Sequence, residues 1–304
     1  MSAAYQQLLD AALQHLQAMK EQGTRFVPVS PDTLAALAAP VRVATKHSVV
    51  SAPAPRPSPP LTPMPKPSFS KPAPRPAAPA LPHPSTPLPP LPPPLAPAAK
   101  AAALEALRAR VLACVKCPNL VAARKTVVFG IGDINSPLMF VGEAPGADED
   151  AQGEPFVGKA GQLLTKIIMA MQFERSSVFI ANILKCRPDT PGESAGNRKP
   201  TPAEMATCIP WLHEQINLIQ PRVMVALGAT ALEGLFGKTA GISQLRGTWQ
   251  TYRGIPVMPT YHPAYLLRNQ ALSEKRKVWE DMLQVLAKLG APISDKQRGY
   301  FLKS

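Results

Sequence analysis

The chain has 304 residues, of which 38 are proline and four are cysteine, and a formal charge of +13. No apolar run is long enough to span a bilayer. The first residues also carry glutamine and aspartate where a secretory signal needs a basic start and an unbroken hydrophobic core, so membrane and secreted classes are disfavoured and a cytoplasmic protein is expected. The basic balance favours an anionic partner such as nucleic acid, without saying which.

Residues 5–22 place Leu8, Leu9, Ala12, Leu13, Leu16 and Met19 on one side of a helix that Gly23 ends. A lone helix of this length is marginal in water. It therefore calls for a docking partner, which is the core, a second copy or another protein. Residues 51–100 hold 21 prolines and no acidic residue. This stretch cannot bury enough apolar surface to fold and reads as a disordered, polyproline-II-rich linker, a spacer in preference to a ligand for a proline-reading domain. The charge divides as about +1 over residues 1–50, +5 over the linker and +7 over 101–304. Four segments are thus expected: an N-terminal helical segment (1–50), the linker (51–100), a compact domain (101–290) and a C-terminal tail (291–304).

Within the domain, a helix over 101–113 leads to Cys114 and Cys117, and 126–129 reads as a short edge strand. Residues 138–142 form a buried strand that meets the turn Gly142-Glu143-Ala144-Pro145-Gly146, an acidic patch at 148–150, Phe156, and a glycine-rich entry to a helix from Lys159. Residues 178–184 are the next strand, continuous in apolar character as expected when both faces are covered. Thr201-Pro202-Ala203-Glu204 reads as an N-cap, a first-turn proline and a capping glutamate, so a helix runs over 202–219. Strand 222–227, helix 231–236, strand 255–258, a turn at 262–268 and a helix over 275–289 complete the order. Alternating strands and helices predict an α/β three-layer sandwich with a central, mostly parallel four-stranded sheet.

Cys114, Cys117, Cys186 and Cys208 are the only cysteines. In a cytoplasmic chain a C-x-x-C pair with two more cysteines reads as four thiolate ligands for one metal centre. Zinc and an iron–sulfur cluster both satisfy the spacing.

Polar groups cluster at strand ends: Glu143 after the first, Asn182 at the end of the second, Gly228 after the third and His262 past the fourth. In a parallel sheet such ends converge at one edge, where ligands bind, so a pocket containing Glu143, Phe156, Asn182 and His262 is expected. An amide donates and accepts, an aromatic ring stacks on a planar heterocycle, and a histidine places a proton near a developing anion. Each alone has a plain structural reading: a helix cap for Glu143 and Glu149, a loop anchor for Phe156, a satisfied core amide for Asn182. The case rests on the set. Nucleotide-binding glycine patterns are absent, and no second carboxylate cluster supports metal-dependent hydrolysis.

On these residues the chain resembles the family 4 uracil-DNA glycosylases, the iron–sulfur members of their superfamily. The resemblance covers about residues 101–289 and is carried by four motifs: the stretch 142–161, Asn182-Ile183-Leu184-Lys185-Cys186-Arg187-Pro188, Asn197-Arg198-Lys199-Pro200-Thr201-Pro202, and Tyr261-His262-Pro263-Ala264-Tyr265-Leu266-Leu267-Arg268. It implies a [4Fe–4S] cluster on the four cysteines and a monofunctional hydrolase that flips uracil out of DNA. Gly142, Glu143, Ala144, Glu149, Phe156, Asn182 and His262 would form the base pocket, with Phe156 stacking, Asn182 reading N3–H and O4, and His262 donating to O2. The sister family has an aspartate where Ala144 stands, so Glu143 is implied mainly through loop shape and backbone contacts. Glu149 is placed near C5, against thymine's methyl group. Lys159, Gly228, Ala229, Thr230 and Arg268 would contact DNA, and Leu266 with Tyr265 would form the wedge that fills the gap left by the flipped base. The loop between Cys186 and Cys208 is longer than the family's, through an insert around 189–195. A monomer acting on uracil-containing DNA is expected. Two alternatives stand beside it: a non-catalytic iron–sulfur DNA-binding module, against which Asn182 and His262 argue, and a covalently DNA-linking branch, whose loop histidine is missing from residues 187–200.

Overall fold

The computed structural model describes residues 89–189, 198–237 and 241–302. The expected N-terminal helix, residues 51–88 of the expected linker and most of the insert lie outside the described residues. All described residues belong to one compact unit.

Three buried runs set the fold. In β2 (Leu138–Gly142), β3 (Phe179–Asn182) and β4 (Val223–Leu227) every residue is buried, as a strand covered on both faces requires. With β6 (Ile255–Thr260) they pair in parallel, and the short strands β1 (Ile131–Gly132) and β5 (Gln250–Tyr252) add antiparallel edges. The sheet therefore has six strands, in the order β1-β3-β2-β4-β6-β5, where four were expected. The difference lies at the edges, where strands of two and three residues carry no readable alternation. The edge strand expected at 126–129 is not one of them.

Successive residues feed opposite layers, because side chains alternate across a strand. Met139 and Val141 join Phe179, Met224 and Val257 under α1 (Pro97–Leu112), α5 (Pro202–Ile219) and α6 (Ala229–Phe236), where Leu107, Leu212, Ile216 and Leu232 complete the layer. Leu138 and Phe140 face the other way, with Ile180, Val225 and Met258, against Leu164 and Ile168 of α4 (Lys159–Ala170) and Trp279, Met282 and Leu286 of α9 (Leu272–Leu289). This is the expected three-layer sandwich.

The helix ends follow from local chemistry. Thr201 and Glu204 form a capping box at α5, with Pro202 at its first position. Gln220 at φ 50° stops that helix before Pro221, and Gly290 at φ 73° stops α9. Four short helices complete the domain: α2 (Pro118–Ala123), α3 (Ala147–Gln152), α7 (Ile242–Leu245) and α8 (Pro263–Arg268). The last of these replaces the turn expected at 262–268.

The folded part extends past both expected boundaries. α1 begins at Pro97, ahead of Ala101, and the prolines before it lie on the domain. Arg253 donates to the carbonyls of Pro89 and Pro90 and Gln220 donates to that of Pro92, while Leu91 packs against the core. At the other end, α10 (Asp295–Arg298) is docked through hydrogen bonds from Trp279 to the Gln297 carbonyl and from the Gln297 amide to the Ala170 carbonyl.

Candidate active site

The parallel strands deliver their carboxyl ends to one edge. Gly142 and Asn182 are the last residues of β2 and β3 and are partners in register. A Cβ added to Gly142 would lie 2.4 Å from Asn182 Oδ1 and 2.5 Å from Phe156 Cζ, so both side chains lie against this one glycine. Phe156 reaches it from a left-handed backbone, φ 55°, which costs a non-glycine residue about 1–3 kcal/mol. The surrounding chain holds it there: α4 crosses the Phe156 main chain so closely that a Cβ on Gly161 would meet the Phe156 carbonyl oxygen at 1.8 Å. Only glycine fits.

The loop between β2 and α4 is closed by Glu149. Its carboxylate accepts from the backbone N–H groups of Gly146, Val157 and Gly158, at 2.9–3.0 Å. A carboxylate holding three N–H groups shapes the loop, so Glu149 acts on the pocket through the backbone and not as a free acid. Asp150, unlike the half-buried Glu149, is fully buried, and it accepts from Lys125 and Thr126. Glu143 differs: it is half-buried, and its carboxylate has no hydrogen bond or ion pair among the described residues.

Asn182 is 2 % exposed, and its Oδ1 has no hydrogen-bond partner among the described residues. Buried polar atoms are normally satisfied, and an orphaned acceptor at a strand end asks for a donor from outside the chain. Across the opening, the His262 ring lies 5.6 Å from the Phe156 ring, tilted by 31°. His262 caps α8, and its Nδ1 accepts from the Ala264 N–H. An Nδ1 that accepts carries no proton, so the neutral ring bears its proton on Nε2, which has no partner among the described residues. Burial pushes its pKa down to about 4, with the Arg268 guanidinium acting in the same direction and Glu149 opposing. His262 is therefore a neutral donor near neutral pH.

The neighbouring turn brings Gly228, at φ 92°, under His262, with the exposed Ala229 and buried Thr230 opening α6. Lys159 and Arg268 are exposed. The two residues expected to form the wedge are packed in the fold. Leu266 is 4 % exposed, packed with Tyr261 and Val278, and the Tyr265 hydroxyl is held between Glu274 and Asn269. Neither can leave its packing cheaply; the exposed apolar residue of this helix is Leu267.

The four cysteines line one cavity in the layer beneath α1 and α5, with Arg124, Lys185 and Trp211. Cys114 and Cys117 lie between α1 and α2, Cys186 follows β3 and Cys208 stands on α5. Among the described residues no three His, Cys, Asp or Glu side chains are arranged to hold a single metal ion. The thiols surround a hollow instead, and they sense one another: Cys186 and Cys114 raise the pKa of Cys117, behind burial as the main cause, and burial pushes Cys208 up to about 12. Two N–H donors already address the sulfurs, Arg124 to Cys186 Sγ at 3.0 Å and the Lys185 backbone to Cys208 Sγ at 3.3 Å. Four thiols lining one cavity, with N–H···S bonds in place, are a donor set that fits a thiolate-bound cluster. Sequence reasoning passed over Arg124 and Lys185. The only signal for them was adjacency to the cysteine motifs.

A strand-edge pocket with a stacking ring, an orphaned amide oxygen and a neutral imidazole defines a protein that receives a planar, hydrogen-bonding ring. The family model described as the uracil DNA glycosylase superfamily matches residues 129–283, just over half of the chain. The chain is 45% identical over 177 residues to a type-4 uracil-DNA glycosylase of Thermotoga maritima, covering 57% of this chain and 88% of that one. It is 38% identical over 204 residues to the type-4 enzyme of Sulfurisphaera tokodaii, covering 64% and 88%. With a type-5 uracil-DNA glycosylase of Pyrobaculum aerophilum it shares 29% over 216 residues, covering 60% and 90%. The chain belongs to the uracil DNA glycosylase superfamily.

Proposed function

We infer that this chain is a uracil-DNA glycosylase of base-excision repair, a hydrolase that removes uracil from DNA and leaves an abasic site. The observation that carries the reading from family to chemistry is the buried, unpartnered Asn182 Oδ1 beside the Phe156 ring. Uracil has a donor at N3 to satisfy that oxygen, and the Asn182 amide N–H₂ can donate to O4. Cytosine offers an acceptor at N3 and a donor at position 4, so both contacts reverse. The pocket thus discriminates by leaving its own buried group unpaired when the wrong base enters.

The base reaches the pocket by flipping out of the stack. Phe156 provides the face on which the ring lies. As the glycosidic bond lengthens, charge develops on the leaving uracil, and the His262 Nε2–H donates to O2 to stabilise the anion. A neutral donor serves here because it holds the anion without transferring a full proton. Water then adds to the sugar. Glu143, the free carboxylate of the pocket loop, is the chain's candidate for orienting it. The backbone N–H groups at the start of α6 take a phosphate, with Lys159 and Arg268 adding charge and Leu267 filling the vacated stack. The cysteines would hold a [4Fe–4S] cluster, which supplies cross-linking of α1, β3 and α5, away from the reacting atoms.

The test is a single-turnover assay on uracil-containing DNA, read as alkali-labile cleavage. The parent protein should cut uracil strands and spare cytosine strands. Asn182→Asp should lose uracil release by on the order of 100-fold or more. No cleavage by the parent, or a stable protein–DNA adduct on a denaturing gel, would overturn the reading.

A further inference from the structure

Lys185 is buried to 1 % exposure yet touches both sites. Its Nζ donates to the main-chain carbonyl of Asn182 at 2.9 Å and to Gln215 Oε1 at 2.6 Å. Gln215, itself 0 % exposed, is fixed by its own amide, which donates to the Phe129 carbonyl at 2.9 Å. The Lys185 backbone N–H donates to Cys208 Sγ, its carbonyl accepts from Val128, and the residue lines the four-cysteine cavity. Among the described residues no carboxylate pairs with it.

The bond to Asn182 falls at a particular place. Asn182 is the last residue of β3, and beyond it the main chain is held by Ile183 and Leu184 donating to the Gly142 and Glu143 carbonyls. The Asn182 carbonyl ends the strand, and its peptide plane helps set the direction in which the Asn182 side chain leaves the backbone. A residue gripping that carbonyl from below therefore controls the aim of the amide above. A buried ammonium without a carboxylate is costly, so Lys185 is held in place by the hydrogen bonds it makes to Asn182 and Gln215.

We propose that Lys185 is a positioning residue, which holds Asn182 in the orientation that reads uracil and makes that orientation depend on the cysteine site. The proposal rests on the glycosylase reading above. Filling of the cysteine site fixes Cys186 and Cys208, these fix the Lys185 backbone, and Lys185 fixes the Asn182 carbonyl. The cysteine site then contributes to base recognition through a chain of named hydrogen bonds, although no cysteine lies in the pocket.

Lys185→Met keeps the volume and cannot donate. Uracil release by Lys185→Met should fall by on the order of 10–100-fold, as expected for a misaimed group. Affinity for undamaged duplex should stay within about threefold, since the charge is buried and far from phosphates. The decisive readout is a double-mutant cycle: in an Asn182→Ala background the same substitution should have no further effect, which a merely structural role would not produce. Gln215→Leu, which removes the other anchor of the ammonium, should act in the same direction, more weakly, and also vanish without Asn182. If Lys185→Met does not fold, the Gln215→Leu cycle decides alone. Iron content and visible absorbance, measured on each variant, separate loss of aim from loss of the cysteine site. A folded variant that releases uracil within threefold of the parent, or additive losses in the cycle, overturns the proposal. A parent that releases no uracil overturns the function instead.

Discussion

At the scale of single residues, the pocket is built by what two glycines omit. Gly142 leaves room for Asn182 and Phe156 to meet, and Gly161 lets a helix press on a strained phenylalanine. Gly142→Ala should therefore keep the fold, by circular dichroism, while single-turnover uracil release drops by about 100-fold, the cost of displacing reacting groups by an ångström or so. His262 yields a second prediction, in pH. Its ordinary value is 6.5 and the fold depresses it to about 4, so the unfolded chain binds a proton there that the folded chain refuses. The stability this contributes is complete above 6.5 and is lost as pH falls through 4. His262→Gln should flatten the decline in melting temperature across that window; a variant as acid-sensitive as the parent would refute the assignment. Residue types at strand ends were legible in the sequence, since glutamate, asparagine and histidine stand out beside apolar runs. Partners were not: nothing in the spacing tells that Glu149 spends its carboxylate on three N–H groups while Glu143 has no such bond among the described residues.

At the scale of elements, Glu204 ties three segments together. Besides capping α5, it accepts from Asn119 on α2 at 2.7 Å and pairs with Arg198, which also reaches the Asp189 carbonyl. The Arg198 hydrogen bond holds its carboxyl down to about 2, against burial. A depressed carboxyl stabilises above its ordinary value of 4.5 and loses that contribution as pH falls through 2. The shift corresponds to at most about 3 kcal/mol. Glu204→Gln should lower the melting temperature at neutral pH and converge with the parent in strong acid; parallel pH profiles would count against it. Long buried strands were readable because five consecutive apolar residues have few other uses. α3 was not, because Ala147–Gln152 has no apolar face and is instead favoured by acidic residues in its first turn. α8 is not separable from a turn in the sequence, because a proline start is common to both. Leu266 and Leu267 are adjacent and chemically alike, so only packing shows which one is buried.

At the scale of the molecule, the cysteine site lies inside the larger of the two core layers, with Cys186 and Cys208 counted among its buried residues. Whatever the four thiols hold is thereby part of the core. Cys208→Ser should reduce iron content and visible absorbance together and lower the melting temperature by at least about 5 °C. Full iron with an unchanged melting temperature would remove the cluster from the fold. The topology of the parallel strands was legible from the alternation of strands and helices; the extent of the folded part was not, because a run of prolines looks the same whether it is docked or free. That docked run is held by groups its own side chains hardly supply. All three hydrogen bonds to Pro89, Pro90 and Pro92 are given by the domain to carbonyls, which every amino acid possesses. Only Leu91 contributes a side chain to the core. The attachment is therefore indifferent to most substitutions in its own sequence and sensitive to loss of Leu91, Arg253 or Gln220, so replacing the three prolines should release the segment far less than Leu91→Ser or Arg253→Ala.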